Sequence, residues 1–264
     1  MRLLIIPDLH GRKFWRQTIA DNISKVDKVI FLGDYLDPYP QEIRNNPDSM
    51  ECNSFDDAGG LLYMLNDIIS LKRNEPDKYI LLTGNHTDSY IWSKFVSASR
   101  TDYDHWELYH KIFSENLNLF NLVFIQDNVI FSHAGFVDGW AKRMWKKFKY
   151  PESQYKSIID TALALNDIPL KDFVKNDIVE YLGELSRYRN GYYLYGSCEW
   201  ADIYEHIDLN KSREMNIVPR GEDGIYQVFG HTQLKQPVIT DKWACLDCRK
   251  GFIIDTLTHK IEEI

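Results

Sequence analysis

Short apolar runs broken by polar turns set the rhythm of this chain. Arg2 to Ile6, Val26 to Leu32 and Tyr79 to Thr83 are continuous enough to read as strands buried on both faces. Between them the apolar spacing changes to three and four. Phe14, Trp15, Ile19 and Ile23 predict a helix from Arg12 to about Ile23. Phe55, Ala58, Leu61, Leu62, Leu65, Ile68 and Ile69 predict another over Ser54 to Leu71, with Ser54 as its N-cap. Strand alternating with helix predicts parallel β–α–β units in an α/β fold. Asp37 to Asn53 has no useful period and reads as a long loop.

The second half is less regular. Thr87 to Asn118 reads as largely helical. Leu122 to Ile125 and Val129 to Phe131 read as strands joined by Gln126, Asp127 and Asn128. From Asp138 to about Leu185 the pattern is helical, which predicts an inserted layer or cap. Ile225 to Phe229 is a further strand. Val238–Thr240, Trp243–Leu246, Phe252–Asp255 and His259–Ile264 read as short antiparallel strands closing a second sheet. No stretch makes a convincing domain boundary. One domain over 1–264 is expected, with a mostly helical insertion around 138–215.

The strands end on a recurrent kind of residue. Asp8 and His10 follow the first strand, Asp34 and Asp37 the second, Asn85 and His86 the third. His133 and His231 follow later ones. In open α/β sheets ligands bind beyond the carboxyl ends of the strands. Taken singly, each Asp or Asn is an ordinary turn former or N-cap, and each His an ordinary core residue. Together they form a set of oxygen and imidazole donors without thiolate, which suits manganese, iron or zinc. Two such ions about 3.5–4 Å apart clamp the attacking and leaving oxygens of a displacement at phosphorus.

Charge and cysteine content narrow the setting. Lys and Arg number 31 against 39 Asp and Glu, a net charge of −8. That argues against non-specific nucleic-acid binding, which depends on cations meeting phosphates. It leaves an anionic substrate open, because bound metal inverts the local sign. There is no apolar run of membrane-spanning length and no signal-peptide layout at the start. Four cysteines in 264 residues argue against a disulfide framework, so a cytoplasmic setting is expected. Cys245 and Cys248 lack a second cysteine pair and read as a strand turning over, not as a zinc site. The tyrosines at 188, 192, 193 and 195 could stack a base, but without a flanking basic patch they read as core or rim filling.

Five stretches in order, Asp8-Leu-His10-Gly11, Gly33-Asp34-Tyr-Leu-Asp37, Gly84-Asn85-His86, Ser132-His133-Ala134-Gly135 and Gly230-His231-Thr232, resemble the motifs of calcineurin-like metallophosphoesterases. Within these the chain looks most like the branch of serine/threonine phosphatases and symmetrical diadenosine tetraphosphate hydrolases. The resemblance implies a four-layer α/β/β/α double-sheet sandwich with a dimetal site at the strand ends. It implies that Asp8, His10 and Asp34 hold a first divalent metal, and that Asp34, Asn85, His133 and His231 hold a second. It implies manganese before iron or zinc, attack by a hydroxide shared between the metals, His86 as the general acid and Asp37 as the residue orienting it. The chain departs from the pattern where relatives grip phosphate with arginine, since Pro38 follows Asp37 and Thr83 precedes Gly84. Those departures lean the expected substrate toward a small or nucleotide-like phosphoester rather than a phosphoprotein. Arg100, Arg143, Arg187, Arg189, Arg213 and Arg220 read as surface residues, of which one or two could replace that grip; Arg220, in a Pro-Arg-Gly stretch before His231, is the first candidate. A non-catalytic binding module of the same fold is the alternative, and metal content separates the two.

Overall fold

A computed structural model describes residues 1–54, 57–92, 98–147, 155–168, 170, 183–186, 196–203 and 224–264. The chain divides into two compact units, 1–120 with 249–264, and 121–248. Each has its own sheet.

The first sheet runs in the order β11-β10-β1-β2-β3-β4, where β1 is Arg2–Ile6, β2 Lys28–Phe31, β3 Tyr79–Leu82, β4 Phe120–Asn121, β10 Phe252–Asp255 and β11 Ile261–Glu263. β1, β2 and β3 are parallel, in register Leu3 to Lys28 and Val29 to Tyr79. Their residues are almost wholly buried, as strands covered on both faces must be. α1 (Phe14–Asn22) connects β1 to β2, and α3 (Ala58–Asn74) leads into β3. On α3 the buried residues Leu61, Met64, Leu65, Ile68 and Ile69 fall at helical spacing.

That helix starts three residues later than the apolar stripe suggests. The N-cap is Asp57, not Ser54, because its carboxylate accepts the Gly60 N–H at 3.2 Å and the Asn53 N–H at 2.9 Å. The expected loop over Asp37–Asn53 is also partly ordered. Pro40 opens a six-residue helix, α2 (Pro40–Asn45), and Pro47–Ser49 forms a 3-10 turn. Around the stretch read as largely helical, two separate helices stand, α4 (Asn85–Ile91) and α5 (Trp106–Glu115). α5 supplies side chains to carbonyls at the end of α4, with Trp106 Nε1 on the Ser89 oxygen at 2.9 Å and His110 Nδ1 on the Tyr90 oxygen at 2.8 Å.

The last strands do not all join one sheet. β10 pairs antiparallel with β1, and β11 with β10, so both complete the first sheet. Thr256 and Met1 tie these strands together at one end, with the Thr256 N–H donating to the Met1 carbonyl at 2.8 Å.

The second sheet has the order β5-β6-β7-β9-β8, with β5 Val123–Gln126, β6 Val129–Ser132, β7 Tyr226–Phe229, β8 Val238–Ile239 and β9 Trp243–Cys245. β6, β7 and β9 are parallel, while β8 pairs antiparallel with β9. The β5–β6 hairpin turns through Asp127 and Asn128, both at positive φ (51° and 65°), the conformation a two-residue hairpin loop demands. α6 (Asp138–Lys147) and α7 (Ile158–Asn166) follow β6. The chain is thus α/β with two mixed sheets, as expected. Among the described residues no helix is long and apolar enough to cross a membrane.

Candidate active site

The carboxyl ends of β1, β2 and β3 lie side by side, and the turns leaving them carry six of the predicted residues. Asp8, His10, Asp34, Asp37, Asn85 and His86 are all buried. Gly33 makes the turn after β2 possible. Its φ is +108°, and a Cβ there would lie 2.1 Å from the Thr83 carbonyl oxygen, so only glycine lets the ends of β2 and β3 approach so closely. His10, Asp34 and Asp37 then stand at φ of 44°, 47° and 60°. Each such left-handed residue costs about 1–3 kcal/mol, and such strain concentrates at functional sites. Backbone bonds hold the turns in place, with the N–H groups of Leu9 and His10 both donating to the Asp34 carbonyl at 3.1 and 2.8 Å.

One donor atom from each of His10, Asp34 and His86 lies within 4.8 Å of the other two, close enough to converge on one ion. Asp8 is fully buried at the end of β1 but is not one of that trio. Burial, reinforced by the neighbouring His86, lowers the His10 pKa well below its ordinary value. Neutral imidazole is the form that binds metal. His10 Nδ1 is engaged by the Leu36 carbonyl at 2.8 Å, so Nε2, 3.8 Å from Asp34 Oδ2, is the ring nitrogen that could face an ion. Buried carboxylate, amide and imidazole without thiolate fit a divalent transition metal.

His86 is oriented from two sides. Its backbone N–H donates to Asp34 Oδ1 at 2.9 Å, and its Nδ1 meets Asp37 Oδ2 at 2.6 Å. The other Asp37 oxygen accepts the Tyr90 hydroxyl, and the Arg100 Nε donates to the Asp37 carbonyl at 3.2 Å. Burial pushes the Asp37 carboxyl above its usual range, against the pull of His86. Burial and the Asp37 charge raise the Tyr90 hydroxyl far above its usual value, so it stays a donor. Tyr90 was not singled out for this site by the sequence, and Arg100 was only one of six candidate arginines for a phosphate grip. Tyr90 lies four residues beyond His86 on α4, hence on the same helical face, and that spacing was a usable signal. Arg100 comes from a connection with no recognisable pattern.

The second unit holds the other predicted pair. His133, fully buried, follows β6, and His231 follows β7 at φ 67°. His133 Nε2 and His231 Nδ1 are 3.2 Å apart. The turns bearing them are joined by the Gly230 N–H donating to the His133 carbonyl at 2.7 Å, while the Ala134 N–H donates to the Cys198 carbonyl at 2.7 Å. The Trp200 ring packs 6.2 Å from that of His231. Cys245 is buried in β9 and donates to the Gly230 carbonyl at 3.2 Å, a core role. Arg220 and the four tyrosines of 188–195 lie outside the described residues.

A family model described as calcineurin-like phosphoesterase matches residues 1–235. Among solved structures the chain is similar to a cold-active protein tyrosine phosphatase, with 14% identity over 99% of this chain and 78% of that one and a TM-score of 0.54. It is also similar to a protein serine/threonine phosphatase from Saccharomyces cerevisiae, with 12% identity over 100% of this chain and 79% of that one and a TM-score of 0.48. No curated protein is found to match the chain. At such identities the first structural likeness speaks to the fold, and the family match, which takes in every strand-end residue described above, speaks to the chemistry. The chain belongs to the calcineurin-like phosphoesterases and is a metallophosphoesterase.

Proposed function

We propose that this metallophosphoesterase cleaves a phosphate monoester or diester, with Asp8, His10 and Asp34 holding one divalent ion and Asp34, Asn85, His133 and His231 a second. Manganese is the favoured metal, with iron or zinc as alternatives. When bound, such ions acidify water and offset the charge that develops on phosphoryl oxygens. His86 supplies the general acid. Its Nδ1 is anchored on Asp37, so Nε2 is the atom that gives a proton to the leaving oxygen. Asp37 holds that ring in one tautomer and offsets the imidazolium charge. Pro38 and Thr83, standing where relatives carry arginine, favour a small or nucleotide-like ester over a phosphoprotein. Four buried cysteines suit a reducing compartment, and we place the protein in the cytoplasm.

The observation that carries this reading is the buried Asp37–His86 pair beside His10 and Asp34. A second reading makes His86 itself a metal ligand, and the close approach of its ring nitrogen to donors of His10 and Asp34 favours that. Elemental analysis after loading with Mn²⁺, combined with hydrolysis of p-nitrophenyl phosphate and bis(p-nitrophenyl) phosphate, tests the proposal. Asp34→Asn is expected to abolish turnover and to lose bound metal. Metal-loaded protein that cleaves neither ester would overturn the proposal, and full activity in Asp34→Asn would remove Asp34 from the metal centre.

A further inference from the structure

A cation stands beside the Asp37–His86 pair in the first unit. Arg100, at φ 65°, donates from Nε to the Asp37 carbonyl at 3.2 Å. Its guanidinium carbon lies 3.7 Å from the centre of the Tyr39 ring. Tyr39 in turn meets the His10 ring edge-on, with centroids 5.1 Å apart. His10 and His86 rings are 4.8 Å apart. The guanidinium is therefore fixed, one aromatic ring away from His10, by a hydrogen bond and a cation–π contact.

Its hydrogen-bonding capacity is not used up. Nη1 donates to the Ser99 hydroxyl at 3.1 Å. Nη2 is buried and makes no hydrogen bond among the described residues. A guanidinium stays charged at any working pH, and a buried donor without a partner calls for an explanation. Arg12 is the instructive contrast. It also faces Tyr39, at 5.4 Å, but Nε and Nη2 are taken by Glu42 at 2.6 and 3.1 Å, and Nη1 by the Asp8 carbonyl at 3.1 Å. Of these two arginines around one ring, Arg12 is committed to the protein and Arg100 keeps a donor.

We propose that Arg100, stacked on Tyr39, binds a non-bridging oxygen of the substrate's phosphoryl group and of the phosphate product. This rests on the phosphoesterase reading and names the phosphate grip that Pro38 and Thr83 do not supply. The planar fork matches a phosphate edge, and its charge eases the approach of an anion toward buried Asp34 and Asp37. Tyr39 keeps the fork in plane while Asp37 ties its Nε, so the ordering cost is met before substrate arrives.

The test uses the full chain loaded with Mn²⁺. p-Nitrophenyl phosphate turnover and its inhibition by orthophosphate are compared among the natural protein, Arg100→Ala, Arg100→Gln and Arg100→Lys, with bound metal and Tm recorded for each. The alanine variant is expected to raise both KM and the orthophosphate inhibition constant about tenfold or more, with a smaller effect on kcat and unchanged metal content. Lysine should recover part of the loss, keeping the charge but not the fork. If the alanine variant does not fold, the glutamine variant, which keeps a donor for the Asp37 carbonyl, gives the same reading. Unchanged KM and inhibition, or loss of bound metal in parallel with activity, overturns the assignment and leaves the phosphoesterase reading standing. Calorimetric titration with orthophosphate reads the contact without turnover. Should the natural protein cleave no ester, weaker phosphate binding by Arg100→Ala still upholds the contact, and equal binding overturns it.

Discussion

Two Asp–His pairs of the first unit share a ring-nitrogen hydrogen bond, and their differences say more than their likeness. Asp37 and His86 are 49 residues apart, with Nδ1 to Oδ2 at 2.6 Å and side chains 0% and 7% exposed. Asp102 and His105 are three apart, at 2.8 Å, and the His105 side chain is 29% exposed. The local pair closes a turn, since Asp102 also accepts the His105 backbone N–H at 3.1 Å just before α5 begins. The long-range pair joins a strained turn after β2 to the start of α4, next to His10 and Asp34. Tyr90 touches both. Its hydroxyl donates to Asp37 and accepts the Asp102 N–H at 2.7 Å. Identical chemistry thus serves a turn in one place and faces a metal-type donor set in the other. Burial, chain separation and neighbours distinguish the two, not the residue types.

Replacing each histidine should separate them by the widest margin. His86→Asn is expected to lower kcat by about 10²–10⁴-fold, the range a general acid contributes, while Mn²⁺ content stays as in the natural protein. His105→Asn should leave kcat and KM within about twofold, because an exposed turn histidine adds nothing to proton transfer. Steady-state kinetics with metal analysis read both. Loss of metal in His86→Asn would instead identify that ring as a ligand, and a crippled His105→Asn would erase the distinction between the pairs.

Tyr90 tests how far the site pair depends on the group it shares with the turn. Tyr90→Phe removes a donor to a buried carboxylate and the acceptor of the Asp102 N–H, with little change of shape. A hydrogen bond to a charged group contributes about 1.5–3 kcal/mol, so denaturant unfolding should show a loss of that order. Activity should fall less than in His86→Asn, by about tenfold, because Asp37 keeps its bond to His86. An unaltered kcat with the full stability loss would show that Tyr90 serves the fold alone.

The legibility of this molecule in its sequence follows the same division. Continuous apolar runs announced β1, β2 and β3, and the polar residues that had to follow them marked the site, because parallel strands buried on both faces leave only their ends for chemistry. The helix capped by Asp57 rather than Ser54 was misplaced because both residues can cap, and only the folded turn shows which side chain reaches two N–H groups. The last four strands look alike in sequence. Which sheet each joins depends on distant partners, such as the Met1–Thr256 contacts that bring β10 to β1, and local pattern carries no trace of those. Arg100 could not be told from five other candidate arginines for the same reason, since its meaning lies in the Asp37 carbonyl and the Tyr39 ring, each about sixty residues away.

A third carboxylate sharpens the contrast by its opposite response to pH. Asp37 is pushed up by burial. Glu42 also feels burial raising its pKa, but hydrogen bonds and charge from Arg12 and Arg249 outweigh it and hold the group below its usual 4.5. Arg12 Nε meets Glu42 Oε2 at 2.6 Å, and Arg249 meets Oε1 at 2.5 Å. A carboxylate whose folded pKa is depressed releases its proton more readily when folded. Its stabilising contribution is therefore complete above the unfolded value and is lost as pH falls through the folded one. Glu42→Gln should lower Tm at pH 7, by only a few degrees because Glu42 is partly exposed and solvent screens the pair. The gap from the natural protein should begin to close as pH drops below about 4.5 and vanish once pH falls through the depressed folded value, where the natural side chain is neutral as well. Thermal unfolding of both proteins between pH 3 and 7 measures this. A gap that persists at the acid end would mean that Glu42 acts through packing, leaving the Arg12–Glu42–Arg249 cluster without the electrostatic role that sets it apart from Asp37.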